Sequence, residues 1–359
     1  MFLNELTLKN YKNFENSKFK FDTKIVCFTG MNGVGKTNIL DSIYHLSYTK
    51  SYFNPIPSQN IRHGEKFFFI SGVYETEEKI ENILISLKKG SKKTIKRNNK
   101  LYKKFSDHIG LIPLVIISPN DRNLIIEGSE TRRKFIDSII SETDNKYLNN
   151  LIAYNKNLKN RNALLKMYYH NNESLKKTID IYDTSLSEIA NKIHKKRANF
   201  LSKFIPIFKY RYKQLSENKE IVEIEYKSDI SKNLKLYDLL KESLERDIRF
   251  QYTTKGIHKD DLNFLINDFS VKKFGSQGQQ KTFLIALKLA KFDYLAKLNN
   301  NPILLLDDIF DKLDDNRVKQ IVDLVNDVNF QQIFITDTNK KRSESIIKKA
   351  NKSYKIFEI

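Results

Sequence analysis

The segment Gly30-Met31-Asn32-Gly33-Val34-Gly35-Lys36-Thr37 constrains this chain more than any other. It fits the pattern G-x-x-x-x-G-K-[ST]. The apolar run Ile25-Val26-Cys27-Phe28 precedes it, and Ile39, Leu40, Ile43 and Leu46 follow at helical spacing. A strand, a glycine loop and a helix in that order form a phosphate cradle. Glycines let backbone N–H groups approach phosphate oxygens that a Cβ would keep away. Lys36 is placed to reach the β- and γ-phosphates and Thr37 to ligate Mg²⁺. Asn38 lies in the first turn of the helix, whose positive end faces the anion. The expected nucleotide-binding residues are therefore Gly30, Met31, Asn32, Gly33, Val34, Gly35, Lys36, Thr37 and Asn38.

A second element stands most of the chain away. Pro302-Ile303-Leu304-Leu305-Leu306 reads as a buried strand ending in Asp307-Asp308. Asp307 is expected to hold Mg²⁺, directly or through water, and Asp308 to orient or deprotonate an attacking water. The competing reading of such a pair is a solvated turn or a helix cap. Between Gly128 and Gly256 there is no glycine and one proline, Pro206. So long a stretch without punctuation predicts long helices, interrupted by a strand near Ile221 to Tyr226. No heptad run there is long enough for an extended coiled coil. Strands are expected at 67–74, 80–87 and 94–102, the last folded back at Asn98-Asn99. A helix over 281–295, a strand over 303–306, a helix over 316–324, a strand over 332–336, a helix over 340–350 and a final strand complete the reading. The expected organisation is an N-terminal ATPase segment (1–118), a mainly helical insertion (119–250) and a C-terminal ATPase segment (251–359).

The balance of charge points to a polyanion. In 359 residues, 63 Lys and Arg oppose 43 Asp and Glu, a formal net charge of +20. Nucleic acid is the first expectation and an anionic membrane the second. A codon-biased composition rich in Lys, Asn and Ile is the bland alternative. From Glu81 to Asp107 no acidic residue intervenes, so Lys92, Lys93, Lys96 and Arg97 are candidate DNA contacts. Lys195, Lys196 and Arg197 form a second cluster. Either group can equally be a solvated face. Cys27 is the single cysteine, which rules out an intrachain disulfide and a cysteine-based zinc site. No apolar stretch reaches the roughly 20 residues that span a bilayer, so no membrane partner is expected. The first residues lack the pattern of a signal peptide, and the cytoplasm is the expected compartment.

Ser276-Gln277-Gly278-Gln279-Gln280 resembles the signature sequence of ABC ATPases. There a serine hydroxyl, a glycine amide and a helix N-terminus bind the γ-phosphate held by the opposite subunit. The resemblance adds Ser276, Gly278 and Gln279 to the nucleotide site, although polar residues here also cap helices. Leu313-Asp314 matches the loop that touches the dimer partner. Further pieces are Leu8-Lys9-Asn10-Tyr11-Lys12-Asn13-Phe14 and Ile117-Ser118-Pro119-Asn120-Asp121. Gly128 with Arg132-Arg133-Lys134-Phe135-Ile136-Asp137, and Gly256-Ile257-His258-Lys259-Asp260-Asp261-Leu262, complete the set.

With these pieces the whole chain resembles the RecF family of bacterial recombination-mediator ATPases. The resemblance implies an α/β ABC-type head, a mixed sheet with flanking helices, carrying an inserted helical lobe without a long coiled coil. It also implies ATP and Mg²⁺, and slow ATP hydrolysis stimulated by DNA. An ATP-dependent homodimer on duplex, gapped or junction DNA is implied too, with RecR and RecO helping to direct RecA onto gaps. Several positions depart from related ATPases. Asp308 stands where transport-type ABC proteins have glutamate, and Ile335-Thr336-Asp337-Thr338 replaces their switch histidine. No glutamine lies between Gln59 and Gln214, which leaves Asn120 or Asp121 to approach the magnesium. Ser51-Tyr52-Phe53-Asn54 lacks the arginine common in the family. His258 reads as structural or phosphate-adjacent before catalytic. Two rivals share the motifs: an ABC transport or metabolic ATPase subunit, and an SMC-like DNA-bridging head that barely hydrolyses ATP.

Overall fold

Four short runs are buried at every residue: β3 (Ile25–Thr29), β8 (Leu114–Ile117), β12 (Ile303–Asp307) and β13 (Ile333–Asp337). Strands apolar on both faces belong at the centre of a parallel sheet. The computed structural model sets them side by side in one parallel sheet, in the order β14-β3-β13-β12-β8, with β8 at one end and β14, spanning Tyr354–Glu358, at the other. Every pairing in this sheet is parallel. The structure describes residues 1–76, 78–168, 173–230, 235–298, 301–308, 331–348 and 353–359. The helix expected over 316–324 and Leu313-Asp314 lie outside the described residues.

The described residues form two units, one of Met1–Asp121 with Leu287–Ile359 and one of Arg122–Ala286. In the first unit, six strands, of which β4 and β5 alternate in burial along their length, make an antiparallel sheet. They are β1 (Phe2–Tyr11), β2 (Phe14–Lys20), β4 (Phe67–Glu75), β5 (Ile80–Lys88), β6 (Thr94–Arg97) and β7 (Lys100–Leu101). They run in the order β2-β1-β4-β5-β6-β7. Asn98 and Asn99, both at positive φ, turn β6 into β7. Helix α1 (Lys36–Tyr48) buries Ile39, Leu40, Ile43 and Leu46 in a core shared with Leu6, Phe28, Phe68, Ile85 and Leu305. Gly72 of β4 allows this helix close, since a Cβ there would stand 2.8 Å from Leu46 Cδ1. Helix α10 (Lys340–Lys348) precedes β14.

The second unit holds the long helices that the missing glycines predict. They follow the short α2 (Asn123–Ile126): α3 (Ser129–Thr143), α4 (Asn145–Lys166) and α5 (Glu173–Leu215). Helix α5 runs 43 residues and keeps Pro206 within it. Its buried face repeats at helical spacing through Ile193, Arg197, Phe200, Phe204, Phe208 and Tyr212. Short helices α6 (Leu236–Glu242), α7 (Leu244–Phe250) and α8 (Val271–Phe274) and a three-stranded sheet complete it. That sheet joins β9 (Val222–Lys227), β10 (Asp261–Ile266) and β11 (Phe269–Ser270) in antiparallel register.

Helix α9 (Gln277–Ala296) carries the unit boundary, at Ala286/Leu287 rather than at residue 250. The reason is pairing and packing. All six residues of β10 pair with β9. Phe283 also packs within the second unit, with ring centroids 4.7 Å from Phe208 and 5.1 Å from Phe264. Residues 251–286, grouped by sequence with the C-terminal ATPase segment, therefore cluster with the helices.

Candidate nucleotide site

The carboxyl end of β3 opens into the glycine loop, where a parallel sheet presents ligands. Gly30, Gly33 and Gly35 all take positive φ. At Gly35 a Cβ would lie 2.3 Å from the Asn13 amide, so the position admits no side chain. Asn13 braces the loop from the β1–β2 turn, donating to Val34 O at 2.8 Å and accepting from Asn38 Nδ2 at 2.8 Å. Lys36 Nζ donates to Gly30 O at 2.7 Å and Met31 O at 2.8 Å. The lysine is thereby folded back over the loop that it would share with phosphate oxygens.

Strand order brings the second motif to the same place. Only β13 separates β3 from β12, and its Thr336 sits between loop and carboxylates. Asp307 Oδ1 accepts from Thr37 Oγ1 at 2.8 Å and from Thr336 Oγ1 at 2.9 Å. Asp308 N donates to Thr336 Oγ1 at 3.0 Å. Burial pushes the Asp307 carboxyl above the ordinary carboxylate range, opposed by the hydroxyls of Thr37 and Thr336 and reinforced by Asp308. A cleft of about 160 Å³ is lined by Asn32, Gly33, Gly35, Lys36, Thr37, Asn38, Asp308 and Thr336.

Asp308 takes a left-handed backbone, φ +47°, and its buried Oδ1 has no hydrogen-bond partner among the described residues. A buried, unpaired carboxylate oxygen beside a phosphate cradle is a group in need of a cation or a water. Among the described residues no cluster of three or more His, Cys, Asp or Glu could hold a metal. The donors present are a threonine hydroxyl and an adjacent carboxylate. That set suits Mg²⁺, which keeps several waters and takes one or two carboxylates beside phosphate oxygens.

The loop before α9 caps its helix. Ser276 N donates to Gln279 Oε1 at 2.7 Å and Gln279 N to Ser276 Oγ at 3.2 Å, a reciprocal capping box. Gln279 Nε2 also donates to Glu220 Oε1 at 2.7 Å. Ser276 is exposed and Gly278 half-buried. These residues belong to the second unit, whereas the glycine loop and both carboxylates belong to the first.

Two expectations are sharpened, the magnesium-contacting substitute and the structural reading of His258. Asp121 cannot turn to a metal. Its Oδ2 accepts from Ser118 N at 2.7 Å, and its Oδ1 from Lys288 Nζ at 2.5 Å and from the Tyr52 hydroxyl. Asn120 is exposed. His258 is bonded at both nitrogens within the second unit, to Tyr154 Oη at 2.8 Å and Thr253 O at 3.0 Å. Burial lowers its pKa to about 4, a neutral structural imidazole.

The candidate DNA contacts divide. Lys92, Lys96 and Lys195 are exposed. Lys93 is partly buried, bonded to Thr49 O and 5.2 Å from the centroid of Phe105. Arg97 makes a two-pronged pair with the buried Glu81, at 2.8 and 2.6 Å, and Lys196 pairs with Asp144 at 2.6 Å. Arg197 is withdrawn from the set. Its side chain is 2% exposed and bound by Asp137 and Asp260. The neighbouring family motifs join the same knot, Arg132 pairing with Asp261 at 2.8 Å and Arg133 donating to Asp260 O at 2.5 Å. Sequence reasoning missed Asn13, Ser118 and Thr336 as groups of the nucleotide site.

Comparison with known proteins agrees with this geometry. The family model for the RecF/RecN/SMC N-terminal domain matches residues 2–358. The DNA replication and repair protein RecF of Flavobacterium johnsoniae is 54% identical over 360 residues, covering all of both chains. That of Phocaeicola vulgatus is 49% identical, covering all of this chain and 96% of its own. A structure of the recombination mediator RecF with ATPrS in the RecFOR pathway superposes with TM-score 0.87 at 30% identity, covering 100% of this chain and 96% of that one. An Smc head domain from Pyrococcus furiosus shares the fold at TM-score 0.57 and 16% identity. The chain belongs to the RecF family of DNA replication and repair proteins.

Proposed function

We propose that this chain is an ATP-gated, sequence-independent DNA-binding protein of recombinational repair and replication-fork maintenance. The observation that carries the reading is the hydrogen bond from Thr37 to Asp307 at the mouth of the glycine cradle. It brings the two halves of a phosphoryl-transfer site together across most of the chain. ATP phosphates rest on the backbone of residues 30–37, and Lys36 turns from its loop carbonyls to the β- and γ-phosphates. Thr37 and Asp307 hold Mg²⁺, which neutralises charge on the phosphate oxygens when bound. Asp308 orients the attacking water and accepts its proton. Ser276, Gly278 and Gln279 of a second copy close on the γ-phosphate, so that ATP gates a homodimer. Hydrolysis is slow, stimulated by DNA, and reopens the dimer.

Lys92, Lys96 and Lys195 are the cations retained for phosphate contacts, which position DNA without reading its sequence. Duplex, gapped and junction DNA are the expected substrates, RecR and RecO the partners, and RecA the protein directed onto the gap. On this reading the chain works in the cytoplasm. Among the described residues no helix is long and apolar enough to cross a membrane. The test is sedimentation and DNA binding with and without ATP, for the parent and Lys36→Ala. The parent should dimerise with ATP and bind DNA more tightly, in a salt-dependent manner. An undiminished ATP-dependent dimer in Lys36→Ala would remove the reading.

A further inference from the structure

The end of β8 lies beside the magnesium carboxylate. Ile117 is the register partner of Leu306, which sets Ser118 opposite Asp307. Ser118 is 3% exposed, and its Oγ stands 3.5 Å from Asp307 Oδ2, the long end of a hydrogen bond. Asp307 Oδ1 already has Thr37 and Thr336. Among the described residues Oδ2 has the Ser118 hydroxyl alone. A carboxylate so held on one oxygen still pivots about that oxygen, and a donor on the other fixes its plane.

Ser118 is held by the turn that follows it. Its N–H donates to Asp121 Oδ2 at 2.7 Å and its carbonyl accepts from Asp121 N at 3.0 Å, with Pro119 and Asn120 between them. Asp121 is in turn gripped at Oδ1 by Lys288 and Tyr52, and Lys288 Nζ lies 5.6 Å from the Tyr52 ring centroid. The side chains of Lys288 and Asp121 are 9% and 3% exposed. Tyr52 is anchored from behind, its N–H donating to Asp41 Oδ1 at 2.6 Å. Burying a lysine–aspartate pair contributes little net stability compared with apolar residues of the same volume. Its geometric consequence is specific, because it fixes the turn that aims Ser118.

We propose that Ser118 is a positioning residue for Asp307, and that the buried Asp121–Tyr52–Lys288 cluster holds it in that role. The inference rests on the reading that Thr37 and Asp307 hold Mg²⁺ with ATP. It assigns to a serine hydroxyl just after β8 the ordering of the magnesium site in a chain whose nearby carboxylate, Asp121, is committed to Ser118 N, Lys288 and Tyr52. Groups that orient a metal ligand without touching the metal change metal affinity by about 10- to 100-fold when removed.

The test separates metal from nucleotide. Binding of a fluorescent ATP analogue is measured in EDTA and across a Mg²⁺ titration, for the parent, Ser118→Ala, Ser118→Thr, Lys288→Met and Lys288→Arg. Ser118→Ala should bind the analogue in EDTA as the parent does, because the glycine loop is untouched. Its half-saturating Mg²⁺ should rise by about 10-fold or more. Ser118→Thr keeps the hydroxyl and should restore the parent value. Lys288→Met should shift Mg²⁺ in the same direction and Lys288→Arg should recover it. Should Lys288→Met fail to fold, the serine pair decides. A half-saturating Mg²⁺ unchanged in Ser118→Ala overturns the inference alone, as does an equal loss of binding in EDTA. A parent that binds the analogue identically with and without Mg²⁺ removes the underlying reading as well.

Discussion

Replacing Arg197 with methionine removes the centre of the polar knot in the second unit while keeping a side chain of similar reach. The guanidinium donates to Asp137 Oδ1 and Oδ2, each at 2.9 Å, to Tyr147 Oη at 3.3 Å, and to Ile257 O and Asp260 Oδ2, each at 2.8 Å. Asp260 is 1% exposed and Asp137 13%, so neither carboxylate recovers full hydration when its partner leaves. Breaking a buried pair from one side costs about 3–5 kcal/mol. For a unit of this size each kcal/mol moves the unfolding midpoint by about 2–4 °C, which gives a fall of roughly 6–20 °C. The loss depends on pH with a definite sign. Burial already holds the Asp260 carboxyl above its ordinary value, opposed by Ser228, Tyr226 and Arg197. Without Arg197 it protonates more readily in the folded state than in the unfolded chain. The variant should therefore be less destabilised at pH 5 than at pH 8. Thermal unfolding at the two pH values measures this, and DNA binding well below the midpoint gives the second readout. A midpoint equal to the parent's would refute the structural assignment. Lost DNA affinity at an unchanged midpoint would return Arg197 to the phosphate contacts.

Asp308→Asn should leave nucleotide binding intact through Lys36, Thr37 and Asp307 while single-turnover hydrolysis falls by about 100-fold or more, since a positioned base contributes on that order; parent-like hydrolysis would place the base elsewhere. Ser276→Asp keeps an N-cap oxygen but sets a negative charge where the partner's γ-phosphate would approach. The melting midpoint should hold while ATP-dependent dimerisation is lost, and an intact dimer in sedimentation would confine Ser276 to capping. His258 has a folded pKa of about 4, set by burial, against an ordinary 6.5. Its contribution is present above pH 6.5 and is lost as pH falls towards 4, by up to about 3 kcal/mol. His258→Gln should flatten that part of the stability–pH curve, and an unaltered slope would exclude the imidazole as its source.

Features written in local spacing were legible in the sequence. The glycine loop needs its residues at fixed offsets, and the long helices of the second unit showed as missing glycine and proline. The Asn98-Asn99 turn was equally local. The less legible features depend on neighbours distant in sequence. Arg197 sits in the run Lys195-Lys196-Arg197, which reads as surface charge. Yet it also shares a helical face with Ile193, Phe200, Phe204 and Phe208, and that period was the available signal that it points inward. The basic hairpin misled in the same way at Arg97, because its partner Glu81 lies across β5 and β6. The boundary near residue 250 followed the glycines, whereas β9–β10 pairing and the aromatic contacts of Phe283 place it inside α9. Ser118 stood in a family stretch and Thr336 at the place of the switch histidine, yet neither showed in sequence as a partner of Asp307. Each is a single hydroxyl at a strand end, and only the order β3-β13-β12-β8 sets both beside Asp307.

Ser276 marks where the competing readings of a motif cease to compete. As an N-cap its Oγ acts as an acceptor, taking the Gln279 N–H at 3.2 Å. A hydroxyl offers a donor hydrogen as well as acceptor lone pairs. Capping fixes the oxygen at the exposed start of a 20-residue helix and leaves its O–H able to donate to an anion. The capping box thus explains why serine and glutamine stand three residues apart, and it pre-orients the donor that the proposed dimer requires. A helix cap and a phosphate ligand at this position use different parts of one hydroxyl.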